Sequence, residues 1–218
     1  MNFVEFQDVS SNVGATKIGL CSSGGEHFKC VEKVYGRRDK NEFEKMVTIL
    51  EKFPQAIEEL GPHIHLVDKE NTTVYMEYIE CDTLREFLKG MRIDHKGDQK
   101  KLHTLFQAIS VFMKRLNDMN LCHGDLHADN LMVCSDMTLR MIDIDTLESI
   151  QVQGWCDDKQ MLGQEIYREL VSHIFKDKQS ALVDAKLTVD MIYKQKFDDI
   201  EKIIDKLGVD EEIRGYMK

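Results

Sequence analysis

No apolar run of about 18 residues occurs anywhere in the 218-residue sequence, so nothing in it reads as a membrane-spanning helix. No basic-then-apolar segment opens it, so no signal peptide is expected. Basic residues are outnumbered. The 29 Lys and Arg against 39 Asp and Glu leave a net charge of -10, which argues against a nucleic-acid binder held by phosphate contacts. The six cysteines (21, 30, 81, 122, 134 and 156) form no C-x-x-C pair and no even framework, which reads as reduced thiols in a cytosol-like compartment. There is no internal repeat and no low-complexity tract. Only two prolines occur, Pro54 and Pro62, both in the first third. These absences describe a soluble, cytoplasmic protein, with signal-free secretion into a host cell left open, and no membrane or nucleic-acid partner.

What is present divides the chain near residue 80. A hydrophobic content of 42% is enough for a real core. Before the division, "ATKIGLCS" and "HFKCVEKVY" read as strands joined by the turn "SSGGE". The stretch "NEFEKMVTILEKF" follows as a helix with Phe43, Met46, Val47, Leu50 and Phe53 on one face. "HIHLVD" and "TTVYMEYIE" read as two more strands. After the division, "DTLREFLKGM" is a short helix with Asp82 or Thr83 as its cap. "QKKLHTLFQAISVFMKRLNDMN" is a long helix. Leu102, Leu105, Phe106, Ile109, Met113 and Leu116 fall at helical spacing, and Val111 and Phe112 widen the stripe. "NLMVCSDMTLRMIDI" is a hairpin with its turn at Ser135-Asp136. From "DDKQMLGQEIYRELV" onward the pattern is helical. The class is α+β: residues 1–79 as a small antiparallel sheet with one main helix, 80–218 as a mainly helical lobe, and a cleft between them.

The most informative stretch is "LCHGDLHADNLMV", residues 121–133, with five polar side chains in eight positions between apolar flanks. Asp143 lies thirteen residues after Asn130, across the hairpin, so the two can come together. A neutral amide oxygen and a carboxylate suit Mg²⁺, which keeps waters and completes its shell with phosphates. Asp125, off the metal, could accept a hydroxyl proton. His63 and His65 have no third ligand nearby in sequence and do not make a zinc site.

"HGDLHADN" followed by "MIDID" resembles the catalytic loop and metal-binding motif of the protein-kinase-like superfamily. "CVEKVY" is similar to that family's third strand with its phosphate-binding Lys. "VYMEYIECDTLREFL" resembles its fifth strand, hinge and next helix, and "DDKQMLGQEIYREL" its buried large-lobe helix. The pieces occur in family order and span roughly residues 10 to 170. The resemblance implies a bilobal kinase-like fold and an ATP- and Mg²⁺-dependent phosphotransferase. It implies Lys33 on the α- and β-phosphates, with Glu44, or Glu42, of the small-lobe helix pairing with it. Met76 would be the gatekeeper. The backbone of Glu77 and Ile79 would face the adenine edge, and Ile18, Val31 and Met132 would enclose the ring. Asp125 would be the catalytic base, and Asn130 and Asp143 the metal ligands. His123 would be a buried structural support, and Asp158 would brace the catalytic loop by accepting backbone N–H bonds.

The sequence also departs from the family. The phosphate loop "SSNVGATKI" has a single glycine, Gly14. Gly124 stands where an Arg often precedes the catalytic Asp. Fourteen residues separate Asp143 from Asp158, with no A-P-E, so the activation segment is truncated and phosphorylation of that segment has neither a receptor nor room. His127 stands where Ser/Thr kinases usually have Lys. "DID" replaces D-F-G, with Ile144 able to fill the Phe pocket. Three functions remain open: a minimal atypical protein Ser/Thr kinase acting on a protein hydroxyl, a small-molecule kinase of the aminoglycoside and choline type, and a pseudokinase binding module. Residues 82–122 hold only two helices, without the added insert that forms a small-molecule pocket, which favours the protein substrate. An activating protein partner would dock on the small-lobe helix around Phe43 to Phe53.

Overall fold

The structure is a computed structural model that describes residues 2–9, 15–23, 25–36, 39–91, 96–150 and 157–169. The phosphate loop around Ser11 and Gly14, residues 151–156 of the segment between Asp143 and Asp158, and the helices expected after residue 169 lie outside the described residues. The chain forms two compact units. The first runs to Glu80 and also takes in Arg140–Leu147. The second holds Cys81–Leu139 and the chain from Glu148 on. The expected division at residue 79 therefore omits one excursion, in which the segment carrying Asp143 returns to the first unit.

The first unit is a five-stranded antiparallel sheet in the order β1-β2-β3-β5-β4, from β1 (Asn2–Val9), β2 (Ala15–Ser23), β3 (Glu26–Val34), β4 (Ile64–Asp68) and β5 (Thr73–Glu77). Its helices are α1 (Lys40–Lys52) and the one-and-a-half-turn α2 (Pro54–Leu60). Strand β1 and helix α2 extend the sequence expectation. Pro54 begins α2 at the first helical position, where its missing N–H costs nothing. Gly19 is required by β1, because a Cβ there would lie 2.4 Å from the Val4 carbonyl and 2.5 Å from the Phe3 ring. Helix α1 buries Phe43, Met46 and Ile49, a stripe turned slightly from the expected face, with Val47 and Leu50 at its margin.

In the second unit, β6 (Asp82–Thr83) leads directly into α3 (Leu84–Lys89), and Thr83 makes a reciprocal capping box with Glu86. Helix α4 (Lys96–Asp118) follows, with Leu102, Leu105, Phe106, Ile109, Phe112 and Leu116 buried. Val111, expected to widen that stripe, is exposed instead. Strand β7 (Leu121–Cys122) pairs with β10 (Glu148–Ser149). Strand β8 (Leu131–Val133) pairs with β6. The turn after β8 is closed by the Cys134 N–H on the Thr138 carbonyl, and β9 (Leu139–Met141) then carries the chain into the first unit. Helix α5 (Asp158–Glu169) packs Leu162 and Ile166 into the core of the second unit.

The reduced-thiol expectation is overturned. Cys21 is bonded to Cys30 and Cys81 to Cys134, and no described cysteine is free. Strand pairing makes both bonds, which is why spacing hid them. Asp82 opposes Val133 in the β6–β8 ladder, so the neighbouring Cys81 and Cys134 also face each other. Cys21 opposes Phe28 and Cys30 opposes Gly19, which puts the two cysteines on a diagonal of one sheet face. The basis for a cytoplasmic setting goes with the thiols, because disulfides persist mainly in oxidising compartments. Among the described residues no helix is long and apolar enough to cross a membrane.

Candidate active site

Residues paired across an antiparallel ladder share a face, as do residues two apart on one strand. Ile18 opposes Val31 and Val31 opposes Met76, while Thr16, Lys33 and Val74 form the row two residues on. Ile18, Val31, Lys33 and Met76 therefore line one face of the sheet of the first unit. Lys29 shares that face, but its ammonium pairs with Glu80 and lies 5.3 Å from the centre of the Tyr78 ring at an exposed position. Burial separates the two lysines: Lys33 is only 6% exposed.

An ammonium buried that far must find carboxylates. Lys33 Nζ donates to Asp143 Oδ1 and to Asp145 Oδ2, both at 2.6 Å. Burial alone would lower its pKa, but the charges of Asp145 and Asp143 outweigh burial and hold it above its ordinary value. The glutamate expected from the small-lobe helix is not its partner. Glu44 is 63% exposed and pairs with Lys40 one turn away, and no ion pair joins Lys33 to Glu42 among the described residues. Helical geometry explains Glu44: Phe43 and Met46 face the core, which turns Glu44 outward.

Asp143 and Asp145 reach Lys33 from a sharp backbone feature. Asp143 has φ 56° and ψ 51°, the left-handed region, and immediately precedes a single 3₁₀ turn, Ile144–Thr146. Ile144 is buried in that turn, which packs on α1. The Tyr35 hydroxyl donates to Asp145 Oδ2 at 3.1 Å, and burial together with the Asp145 charge pushes the Tyr35 pKa well up. Asp143 keeps a side chain 52% exposed, whereas that of Asp145 is 14% exposed.

Arg140 secures the start of the segment. Its guanidinium donates to both carboxylate oxygens of Glu77, each at 2.7 Å, and to the Gly61 carbonyl. The His63 N–H also donates to Glu77 Oε2, and the Glu77 N–H donates to the His63 carbonyl. Ile79, the other position expected at the adenine edge, is buried in the same unit.

The residues expected to form the catalytic loop belong to the second unit. Asp158 is 1% exposed, and its carboxylate accepts the N–H of His123 at 2.5 Å and of Gly124 at 2.9 Å. Gly124 has φ 82°, a conformation L side chains rarely adopt, so backbone geometry accounts for glycine at this position. His123 is fully buried. Asn130 Nδ2 donates to the Asp125 carbonyl at 2.9 Å, which leaves the amide oxygen of Asn130 as its acceptor. The Asp129 N–H donates to His127 Nδ1, which puts the proton of a neutral His127 on Nε2, and Nε2 lies 3.8 Å from Asp125 Oδ2. The Asp125 side chain is about half exposed. Met132 is buried on β8.

One further group was not foreseen. Arg85 of α3 donates to Asp129 at 2.7 Å, to Glu165 at 2.5 Å and to Glu169. The Asp129 hydrogen bond is the main reason its pKa lies above the ordinary value. Glu165 and Glu169 stand four apart on α5, so they share a helix face. That spacing, with an Arg three residues after Asp82 and two after the capping Thr83, is the only trace in the sequence.

A sequence profile of the protein tyrosine and serine/threonine kinase family matches residues 27–161. This chain belongs to that family, and the α+β organisation is that of its kinase-like bilobal class. Among curated proteins, the chain is 26% identical over 72 residues to the EKC/KEOPS complex subunit bud32 of Dictyostelium discoideum. That match covers 33% of this chain and spans 28% of the relative's length.

Proposed function

We propose that this chain is an ATP- and Mg²⁺-dependent phosphotransferase that moves the γ-phosphoryl group to a Ser or Thr hydroxyl of a protein. The observation that carries the reading is the buried Lys33 held by the carboxylates of Asp143 and Asp145. A lysine fixed this firmly on a sheet face beside Ile18, Val31 and Met76 offers a positive charge next to an apolar surface. A nucleotide needs both. ATP would supply the phosphoryl group, and Mg²⁺ would neutralise its charge.

The donor set fits such an ion. Asp143 of the first unit presents an exposed carboxylate and Asn130 of the second unit an amide oxygen, and each by itself is a hard oxygen donor of the kind Mg²⁺ takes. No cluster of three or more His, Cys, Asp or Glu suited to a metal occurs among the described residues. Mg²⁺ needs no such cage, since it binds through one or two protein ligands and completes its shell with water and phosphate. Lys33 would hold the α- and β-phosphates, and Asp125 would orient the acceptor hydroxyl and take its proton. Asp158 would keep the loop that carries Asp125 in place by holding the His123 and Gly124 amides.

The kinase family itself favours a protein acceptor, as does the absence, among the described residues between Cys81 and Cys122, of an added helical insert. The named relative is a subunit of a complex, which supports a protein partner for this chain as well. The disulfides favour an oxidising compartment as the place of action. The test is incubation with labelled ATP and Mg²⁺, with and without a cell extract, followed by separation of labelled protein from labelled small molecules. Label in protein that disappears with Asp143→Ala supports the reading. Label only in small molecules would replace the protein substrate with a small one, and no transfer under any condition would sink the activity.

A further inference from the structure

We infer that Asp145 is the positioning residue for the phosphate-binding lysine, taking the place of a helix glutamate. This deepens the phosphotransferase reading and rests on it. Lys33 makes two ion pairs of equal length, yet its two partners differ in every other respect. The Asp143 side chain is 52% exposed. The Asp145 side chain is 14% exposed, accepts a second hydrogen bond from the Tyr35 hydroxyl, and sits on a 3₁₀ turn that packs on α1. A carboxylate pinned by neighbours can hold an ammonium in one place. An exposed one remains available to another cation. The geometry thus divides the work, with Asp145 fixing Lys33 and Asp143 left for the metal.

Helix α1 does not compete for the role. Glu44 points outward to Lys40, Glu51 pairs with Lys69, and no ion pair between α1 and Lys33 is present among the described residues. What α1 contributes is packing. Phe43 lies against the Tyr35 ring, with centroids 5.7 Å apart, so the helix braces the tyrosine that holds Asp145. The consequence is specific. Where a helix carboxylate holds the lysine, moving the helix away breaks the pair. Here the carboxylate that holds the lysine stands two residues from the metal-binding aspartate, so both are set by one backbone turn. A partner docking on α1 would reach Lys33 through Phe43 and Tyr35, and through the 3₁₀ turn that carries Asp145.

Two measurements on the intact chain test this. The first is the acylation rate of Lys33 in nucleotide-free protein, followed by peptide mass spectrometry. The second is calorimetric binding of adenylyl imidodiphosphate with Mg²⁺. Asp145→Asn should release the ammonium from its fixed position, speeding acylation several-fold and weakening nucleotide binding about tenfold or more. The double substitution Glu42→Gln with Glu44→Gln should leave both readouts within about twofold. Tyr35→Phe should shift both in the direction of Asp145→Asn but by less, and it carries the test if Asp145→Asn does not fold. Asp145→Glu should recover part of the binding. The inference is overturned if Asp145→Asn leaves both readouts unchanged, or if the double glutamate variant reproduces its effect. An acylation shift in a protein that binds no nucleotide would sink the phosphotransferase reading while leaving the Lys33–Asp145 pair standing.

Discussion

Arg140 grips Glu77 with two parallel 2.7 Å hydrogen bonds, tying the first residue of the segment that carries Asp143 to the last residue of β5. The Arg140 hydrogen bond, more than any other influence, holds the Glu77 carboxyl below its ordinary value of 4.5. A carboxylate with a depressed folded-state pKa stabilises above its unfolded pKa, and that stability is lost as pH falls through the folded value. Glu77 should therefore support the fold fully at neutral pH and progressively less below about pH 4.5, its ordinary value. Arg140→Ala should cost about 1 kcal/mol at pH 7, a figure kept low because both side chains are partly exposed. Its deficit against the unaltered chain should shrink as pH falls from 5 towards 3, measured as urea midpoints at each pH. A deficit that grows on acidification would refute the assignment.

Asp125 and Asp143 should fail in different ways. Asp143→Ala should abolish transfer together with Mg²⁺-dependent nucleotide binding, because under the proposed function the exposed carboxylate would be the charge offered to the metal. Asp125→Asn should keep nucleotide affinity and lose most of its turnover, because a group that orients an acceptor hydroxyl acts in kcat. Calorimetry paired with a turnover assay separates the two. Equal loss of nucleotide binding in both variants would remove Asp125 from its proposed role.

The Cys21–Cys30 and Cys81–Cys134 disulfides should contribute unequally. Cys21 and Cys30 are nine residues apart, Cys81 and Cys134 fifty-three. On chain entropy alone the shorter loop is worth about 2.6 kcal/mol and the longer about 4 kcal/mol. The double variant Cys81→Ala with Cys134→Ala should lower Tm more than Cys21→Ala with Cys30→Ala, under non-reducing conditions. Peptide mapping without reduction should recover both bonds. Free thiols at all four positions in protein purified without reductant would restore the reduced-thiol reading.

Asp158→Ala should orphan the buried N–H groups of His123 and Gly124 at once. A cost of roughly 1–3 kcal/mol is expected for such donors. Hydrogen exchange at those two amides should accelerate more than elsewhere in the second unit, and turnover should fall with it. Stability lost without any change at these amides would place the role of Asp158 elsewhere.

Much of this protein could be read from the chain alone, because the interactions concerned are local. The alternation of β2 and β3, the stripe of α4, and the order of the four kinase-like pieces follow from periodicity and short motifs, which need no partner far away in sequence. The cap of α3 was narrowed to two neighbours, and reciprocal bonding with Glu86 selects Thr83. Lys29 and Lys33 share one face of β3, so periodicity does not distinguish them, and burial is what separates them. The tertiary structure alone decided which carboxylate meets Lys33. Glu44 lies eleven residues from it and Asp145 one hundred and twelve. Helix phase turned the nearer one outward, and a left-handed residue at Asp143 brought the farther one in. The same holds for Cys81–Cys134, Arg140–Glu77 and Arg85–Glu165. Each joins side chains whose meeting depends on strand register or helix packing, and no spacing rule within a sequence window can encode that contact.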